Sequence, residues 1–242
     1  MSDTWTYELL LSRRLSAEQL RLACLIAEER GYSPLTLGGG VARVISLDGM
    51  DIREHTRVED AWAELEAEGG ALQLWKGEID ALLAFHPAGS PHVSAGLAPA
   101  PDGWSRVVLS VDGSFFRDKA VRTTVAADML EIFVGLCERL GAAYGLCWEE
   151  ETAEALSGAA ESLVSSLVAG GKPPLLLWMN YFRREHFQWL DEALFSRVGG
   201  WVTIYPQGLL VSFFDLPWDV DLGRLREVNQ RWSTGDGTMF RE

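Results

Sequence analysis

The strongest constraint on the fold is how apolar residues are parcelled along the chain. Short strand-like runs alternate with stretches of helical spacing. Three runs restart the pattern: Thr6–Leu11 (TYELLL), Arg106–Val111 (RVVLSV) and Leu175–Phe182 (LLLWMNYF), the last nearly continuous, as a central strand would be. Between them, apolar residues three and four apart predict helices. Leu20, Ala23, Cys24 and Ala27 make one stripe, stopped by Gly31. Val58, Ala61, Trp62 and Leu65 make a second, ended by Gly69-Gly70. Val125, Met129, Phe133, Leu136 and Leu140 make a third, with Gly141 as its cap. Further helices are predicted over 152–168, over 184–195 and from Asp219 or Asp221, the last burying Leu222, Leu225, Val228 and Trp232 and giving way to a frayed tail after Ser233. Ser16/Gln19 and Thr56/Glu59 have the spacing of capping boxes.

Val41–Leu47 reads as a strand, and two hairpins are predicted, Ala71–Trp75 with Ala81–Phe85 and Trp201–Tyr205 with Leu209–Phe214. Helices separated by hairpins predict an α+β fold on a mixed, largely antiparallel sheet with helices packed on it, rather than a regular βαβ series. A candidate specific form is two stacked ferredoxin-like halves. One compact domain spanning all 242 residues is expected. The Pro-, Gly- and Ala-rich loop 87–103 is its best internal boundary and would divide it into 1–90 and 104–242.

Charge narrows the classes of partner. The formal net charge is −14, and 18 of the 21 basic residues are arginine. Residues 1–171 carry 13 basic and 26 acidic side chains, hence −13, while residues 172–242 carry 8 and 9, hence −1. Such a chain is repelled by nucleic acid and by anionic membranes, and a basic protein is the partner class that charge favours. No apolar run reaches the ~18 residues of a membrane-spanning helix. The start of the chain, with Asp3 and Glu8 and no basic stretch, does not read as a signal peptide, so the cytoplasm is expected. Cys24, Cys137 and Cys147 lack metal-ligand spacing and read as reduced core thiols. The arginine- and alanine-rich usage is that of a GC-rich bacterial genome.

No motif for catalysis, metal or cofactor stands out. Phosphate cradles need a helix and a Lys-Ser/Thr after the glycines, whereas Gly38-Gly39-Gly40 runs into a strand. His86 and His92 flank one loop, but two imidazoles need a third ligand, and His55 and His186 stand apart. Ser110, Ser114 and Ser212 lie outside any G-x-S-x-G elbow. Dispersed carboxylates leave no local signature, so a hydrolase or transferase built from distant acids is one alternative reading. A structural or oligomerising protein, marked by an apolar surface patch, is another.

Two acidic sets are the candidate contact residues. Glu59, Asp60, Glu64, Glu66 and Glu68 lie on or near one helix. Glu149, Glu150, Glu151 and Glu154 lie where a strand passes into a helix. Acids at a helix start are also favoured by its dipole alone, by about 0.3–1 kcal/mol each. Of the ten tryptophans, Trp62, Trp148, Trp178 and Trp201 sit on apolar stripes and are expected in the core. Trp104, Trp189 and Trp218 flank turns or amphipathic segments, and Trp104 and Trp218 are the candidate binding anchors.

The last third, PPLLLWMNYF, then a helix, then GWVTIYPQGLLVSFFDLPW and a closing helix, resembles bacterial immunity proteins of polymorphic-toxin and type VI secretion systems, particularly the immunity protein 52-like group. Trp178, Asn180, Tyr181, Pro217 and Trp218 carry the resemblance, which covers about 70 residues. It implies a small cytoplasmic protein, without catalytic residues or cofactor, that binds and neutralises a cognate toxin. Toxins that attack nucleic acids are often basic, which suits an acidic binder.

Overall fold

The computed structural model describes residues 4–36, 40–87, 103–117, 121–149, 166, 169, 172–173, 175–189, 200–214 and 220–234. Ten strands form one open, all-antiparallel sheet: β1 (Thr4–Leu11), β2 (Ala42–Ile45), β3 (Ile52–His55), β4 (Gly70–Lys76), β5 (Ile79–His86), β6 (Ser105–Asp112), β7 (Tyr144–Glu149), β8 (Met179–Arg183), β9 (Trp201–Ile204) and β10 (Gly208–Ser212). Four full helices accompany it, α1 (Ala17–Glu28), α2 (Val58–Glu68), α4 (Arg122–Leu140) and α5 (Leu222–Thr234), with a single turn α3 (Ser114–Arg117) and a 3-10 turn at Arg184–Trp189. The class is α+β, as the periodicity predicts. The expected mixed sheet is antiparallel throughout its described strands.

Strand order across the sheet is β3-β2-β4-β5-β6-β1-β7-β8-β10-β9. β1 therefore pairs with β6 and β7 and with none of β2, β3 or β4, so the ferredoxin-like halves are not formed. The reason is visible in its burial: every side chain from Trp5 to Leu11 is buried. A strand apolar on both faces is accommodated only where both faces are covered, in the middle of the sheet. The loop 87–103 joins β5 to β6, which are hydrogen-bonded neighbours, so the sheet continues across the predicted boundary.

α4 packs on β1 at the sheet's centre and α2 on β2, β3 and β4 towards one end. The Tyr7 ring of β1 meets Phe133 of α4 at 5.7 Å, and α1 packs beside both α2 and α4. Gly135 lets α1 approach α4 closely: a Cβ there would lie 2.9 Å from Ile26 Cγ2. The Ser16/Gln19 box forms at the start of α1, with the Ser16 N–H donating to Gln19 Oε1 at 3.0 Å. At the start of α5, Asp221 Oδ1 accepts the Gly223 N–H at 2.8 Å.

Several expectations are corrected. The Thr56/Glu59 box is absent, because α2 begins at Val58 with Arg57 as its uncapped N-cap. β3 was not legible, since its residues are exposed or half-buried and carry charge. The predicted strand from Leu175 begins only at Met179. Ahead of it, the Asn180 side chain takes both the N–H (3.0 Å) and the C=O (2.7 Å) of Leu177, which bends the chain out of a ladder. Trp148 and Trp178 are buried and Trp62 half-buried, but Trp201 is 49% exposed on β9, the outermost of the described strands. The helix predicted over 152–168, apart from residue 166, and the second half of the one over 184–195 lie outside the described residues; the first half of the latter is a 3-10 turn at Arg184–Trp189.

Candidate interaction surfaces

The unit made by β2, β3 and α2 closes one end of the sheet. Residues 42–68 hold eight acidic and three basic side chains, a net charge of −5. The structure divides the acids of this set by what they already hold. Glu64 is largely enclosed, with His55 Nε2 at 2.8 Å and Arg53 Nη1 at 3.1 Å. Arg53 also pairs with Glu68 at 3.0 Å, and these two carboxylates, Glu68 first, hold its guanidinium more firmly protonated than usual. Glu66 Oε1 accepts the Ala17 N–H at 3.0 Å, tying α2 to the first turn of α1. Glu59 is exposed and meets Arg57 only at 3.9 Å. Asp60 is exposed and has no ion pair among the described residues. Three of the five acids thus serve the fold, whereas Glu59 and Asp60 stand exposed at the helix start.

Of the other sequence-predicted contacts, Trp104 alone has a described side chain. Glu149 ends β7, its backbone opposite Trp5, while Glu150, Glu151, Glu154 and Trp218 lie outside the described residues. Trp104 is half-buried and packs against the core. The motif behind the family resemblance is structural in its described part. Trp178 is buried edge-on against Trp5 (6.2 Å, 87°) and Tyr7 (6.2 Å, 72°). Asn180 Oδ1 accepts the Tyr144 hydroxyl at 2.8 Å. The Tyr181 hydroxyl donates to Glu138 Oε1 at 2.5 Å, and the other oxygen of that carboxylate accepts the Gln207 N–H at 2.9 Å.

Sequence reasoning missed a buried ion pair. Glu8 of β1 and Arg106 of β6 are 0% and 1% exposed, with Arg106 Nε 2.6 Å from Glu8 Oε1. Trp148 Nε1 donates to Glu8 Oε2 at 3.4 Å. Glu8 is the one charge of β1, and Arg106 is the one buried charge of β6, whose Asp112 is exposed at the strand end; the opposite signs of the two were the available signal. The pair spans the two central strands and is enclosed, so it secures the middle of the sheet rather than presenting charge to a ligand.

One shallow cleft of about 230 Å³ opens between the start of α1 and the end of α2, over Leu20, Leu65 and Phe85 with Arg14, Ser105 and Glu66 among its lining. Among the described residues its one carboxylate is Glu66, already occupied by the α1 backbone, so these residues form no pair of acids for general acid–base chemistry there. Among the described residues no group of three His, Cys, Asp or Glu is placed to hold a metal, and no helix is long and apolar enough to cross a membrane. The three thiols are free and buried, and burial pushes Cys24 up to about 12.

The opposite end of the sheet has a different chemistry. Residues 200–214, spanning β9 and β10, contain no charged side chain. Trp201, Thr203 and Ile204 are exposed, Ile204 at 63%. No described strand pairs with the outer edge of β9. No protein-family model matches this chain, and no curated protein matches it.

Proposed function

We propose that this is a non-enzymatic binding protein of the bacterial cytoplasm whose acidic end holds a basic protein, in the way an immunity protein neutralises its cognate toxin. The observation that carries the reading is the net −5 charge of residues 42–68, with Glu59 and Asp60 exposed together at the start of α2. Charge of one sign on one face steers an oppositely charged partner and raises its association rate by about 10- to 1,000-fold at low salt. The resemblance of the last third to immunity proteins supplies the role, and the acidic end supplies a contact that suits a basic toxin.

The test begins with gene context. A large secreted protein with a variable C-terminal domain encoded beside this gene supplies the toxin. Co-expression with that domain is expected to rescue growth. Purified Glu59→Lys/Asp60→Lys protein is expected to bind it roughly 10-fold more slowly at low salt, with the difference shrinking as salt rises. Unchanged association rate and salt dependence in that variant would remove the acidic end from the contact. Failure to rescue growth would remove the immunity role.

A further inference from the structure

We infer that β9 is a self-association edge, on which a second copy of this chain adds its own β9 antiparallel about a two-fold axis at Thr203. The hydrogen-bond alternation of an antiparallel ladder fixes which groups are free. The Tyr205 N–H donates to Gly208 O at 2.8 Å, so Tyr205, Thr203 and Trp201 turn their backbone groups toward β10. Val202 and Ile204 therefore turn theirs outward.

A two-fold normal to the sheet keeps side chains on their own faces, so each residue meets a partner of the same parity. Centring on Thr203 places Val202 opposite Ile204 of the other copy as a hydrogen-bonded pair, twice over. All four outward N–H groups and all four outward C=O groups are then satisfied. The same register sets Trp201 opposite Tyr205 of the other copy and apolar Val202 against Ile204, the aromatic and β-branched pairings that stabilise sheets. The four-residue strand is thus complementary to itself.

Charge chooses the occupant. Each copy carries −14 overall, which opposes self-association, but the last 71 residues carry only −1 and residues 200–214 none. Two copies meeting at β9 keep their acidic ends at the far sides of a joint sheet. At the opposite edge the equivalent four-bond register would set Arg53 against Arg53 and leave Glu54 in the seam. A four-residue seam is small beside the roughly 1,200–2,000 Å² of a standard interface, so the pairing depends on concentration. It stands independently of the immunity reading and uses the other end of the molecule.

The test uses the full chain carrying Thr203→Cys. In a non-hydrogen-bonded antiparallel pair opposed Cα atoms lie about 4.5 Å apart, within disulfide reach. The native thiols are buried, so the introduced cysteine is the reactive one. Mild oxidation is expected to give a linked dimer from Thr203→Cys and little from Ile204→Cys or from Asp60→Cys. Sedimentation of the unmodified protein is expected to show a dimer that grows with concentration and is lost in Thr203→Lys, which sets two ammonium groups opposite each other while circular dichroism stays unchanged. An unmodified protein that stays monomeric at several hundred micromolar overturns the inference, as does linkage at Thr203→Cys no greater than at Asp60→Cys. Pairing of a monomeric protein with a strand of another protein assigns the edge to a different occupant and also overturns it.

Discussion

The two ends of this sheet are both edges, and they are finished in opposite ways. At the β3 end the edge strand reads Ile-Arg-Glu-His, Arg43 pairs with Glu54 at 2.8 Å, and α2 brings five more acids beside it. Charge on an edge strand discourages another strand from joining, even though Ile52 is 64% exposed there. At the β9 end the edge reads Trp-Val-Thr-Ile and carries no charged side chain. A sheet with one protected and one open edge can grow in one direction only, to a pair of copies and no further. The acidic end is left free for a partner of another kind.

The comparison assumes that both ends share one folded centre, and the largest predicted effect tests that. Arg106→Met leaves Glu8 buried without its counter-ion, which is expected to destabilise the protein by about 3–5 kcal/mol. At roughly 2–4 °C per kcal/mol for a chain of this size, the melting temperature falls by on the order of 10 °C. A calorimetric scan showing one lowered transition keeps the two ends in one cooperative unit. Two transitions, only one of them displaced, would make them separate units.

Next in size is a change confined to the open end. A Cβ on Gly208 would lie 2.4 Å from Tyr181 Cζ and 2.5 Å from Phe182 O. Gly208→Ala is expected to cost about 1–3 kcal/mol in urea unfolding and to speed amide exchange in β9 and β10 while leaving β3 protected as before. Equal loss of protection at both ends would contradict the local placement of this strain. A smaller change should convert one edge into the other: Arg53→Thr/Glu54→Thr strips the charge from β3, and species larger than a dimer are expected in sedimentation. If none form, something other than charge closes that edge.

The smallest effect concerns acid. Burial lowers the His186 pKa below its ordinary range, more strongly than neighbouring Glu185 raises it. A folded pKa below the unfolded one means that the unfolded chain binds more protons, so this group withdraws stability as pH falls through the ordinary histidine range near 6.5 and leaves it untouched above. His186→Gln is expected to flatten the dependence of unfolding free energy on pH between about 5 and 7. An unaltered slope would exclude His186 as its source.

What the sequence disclosed was what neighbours in sequence determine. The Ser16/Gln19 cap, the α4 stripe ending at Gly141 and the β9–β10 hairpin were all readable, because each is set within a few residues. Partnerships over long separations were not. Glu8 is a lone charge within an apolar strand, and only the register against β6, about a hundred residues away, places Arg106 beside it. β3 escaped because an edge strand exposed on its outer side has no alternation to show. Trp201 was misplaced for the complementary reason: a tryptophan in an apolar run reads as core until the strand order puts it on the outermost described strand. In the acidic set, composition alone did not separate Glu64 and Glu66, which the fold uses, from Glu59 and Asp60, which it leaves free.

The central position of β1 has a consequence for how the protein is made. Of the ten strands it leaves the ribosome first, yet its neighbours β6 and β7 are about 100 and 140 residues downstream. At ~5–20 residues per second, β1 waits roughly 7–28 s for its second partner. Until then a nascent segment of seven residues destined for burial, with an unneutralised carboxylate among them, is held without the sheet it will complete. Translation through residue 149 is therefore the step that first supplies β1 with both of its neighbours.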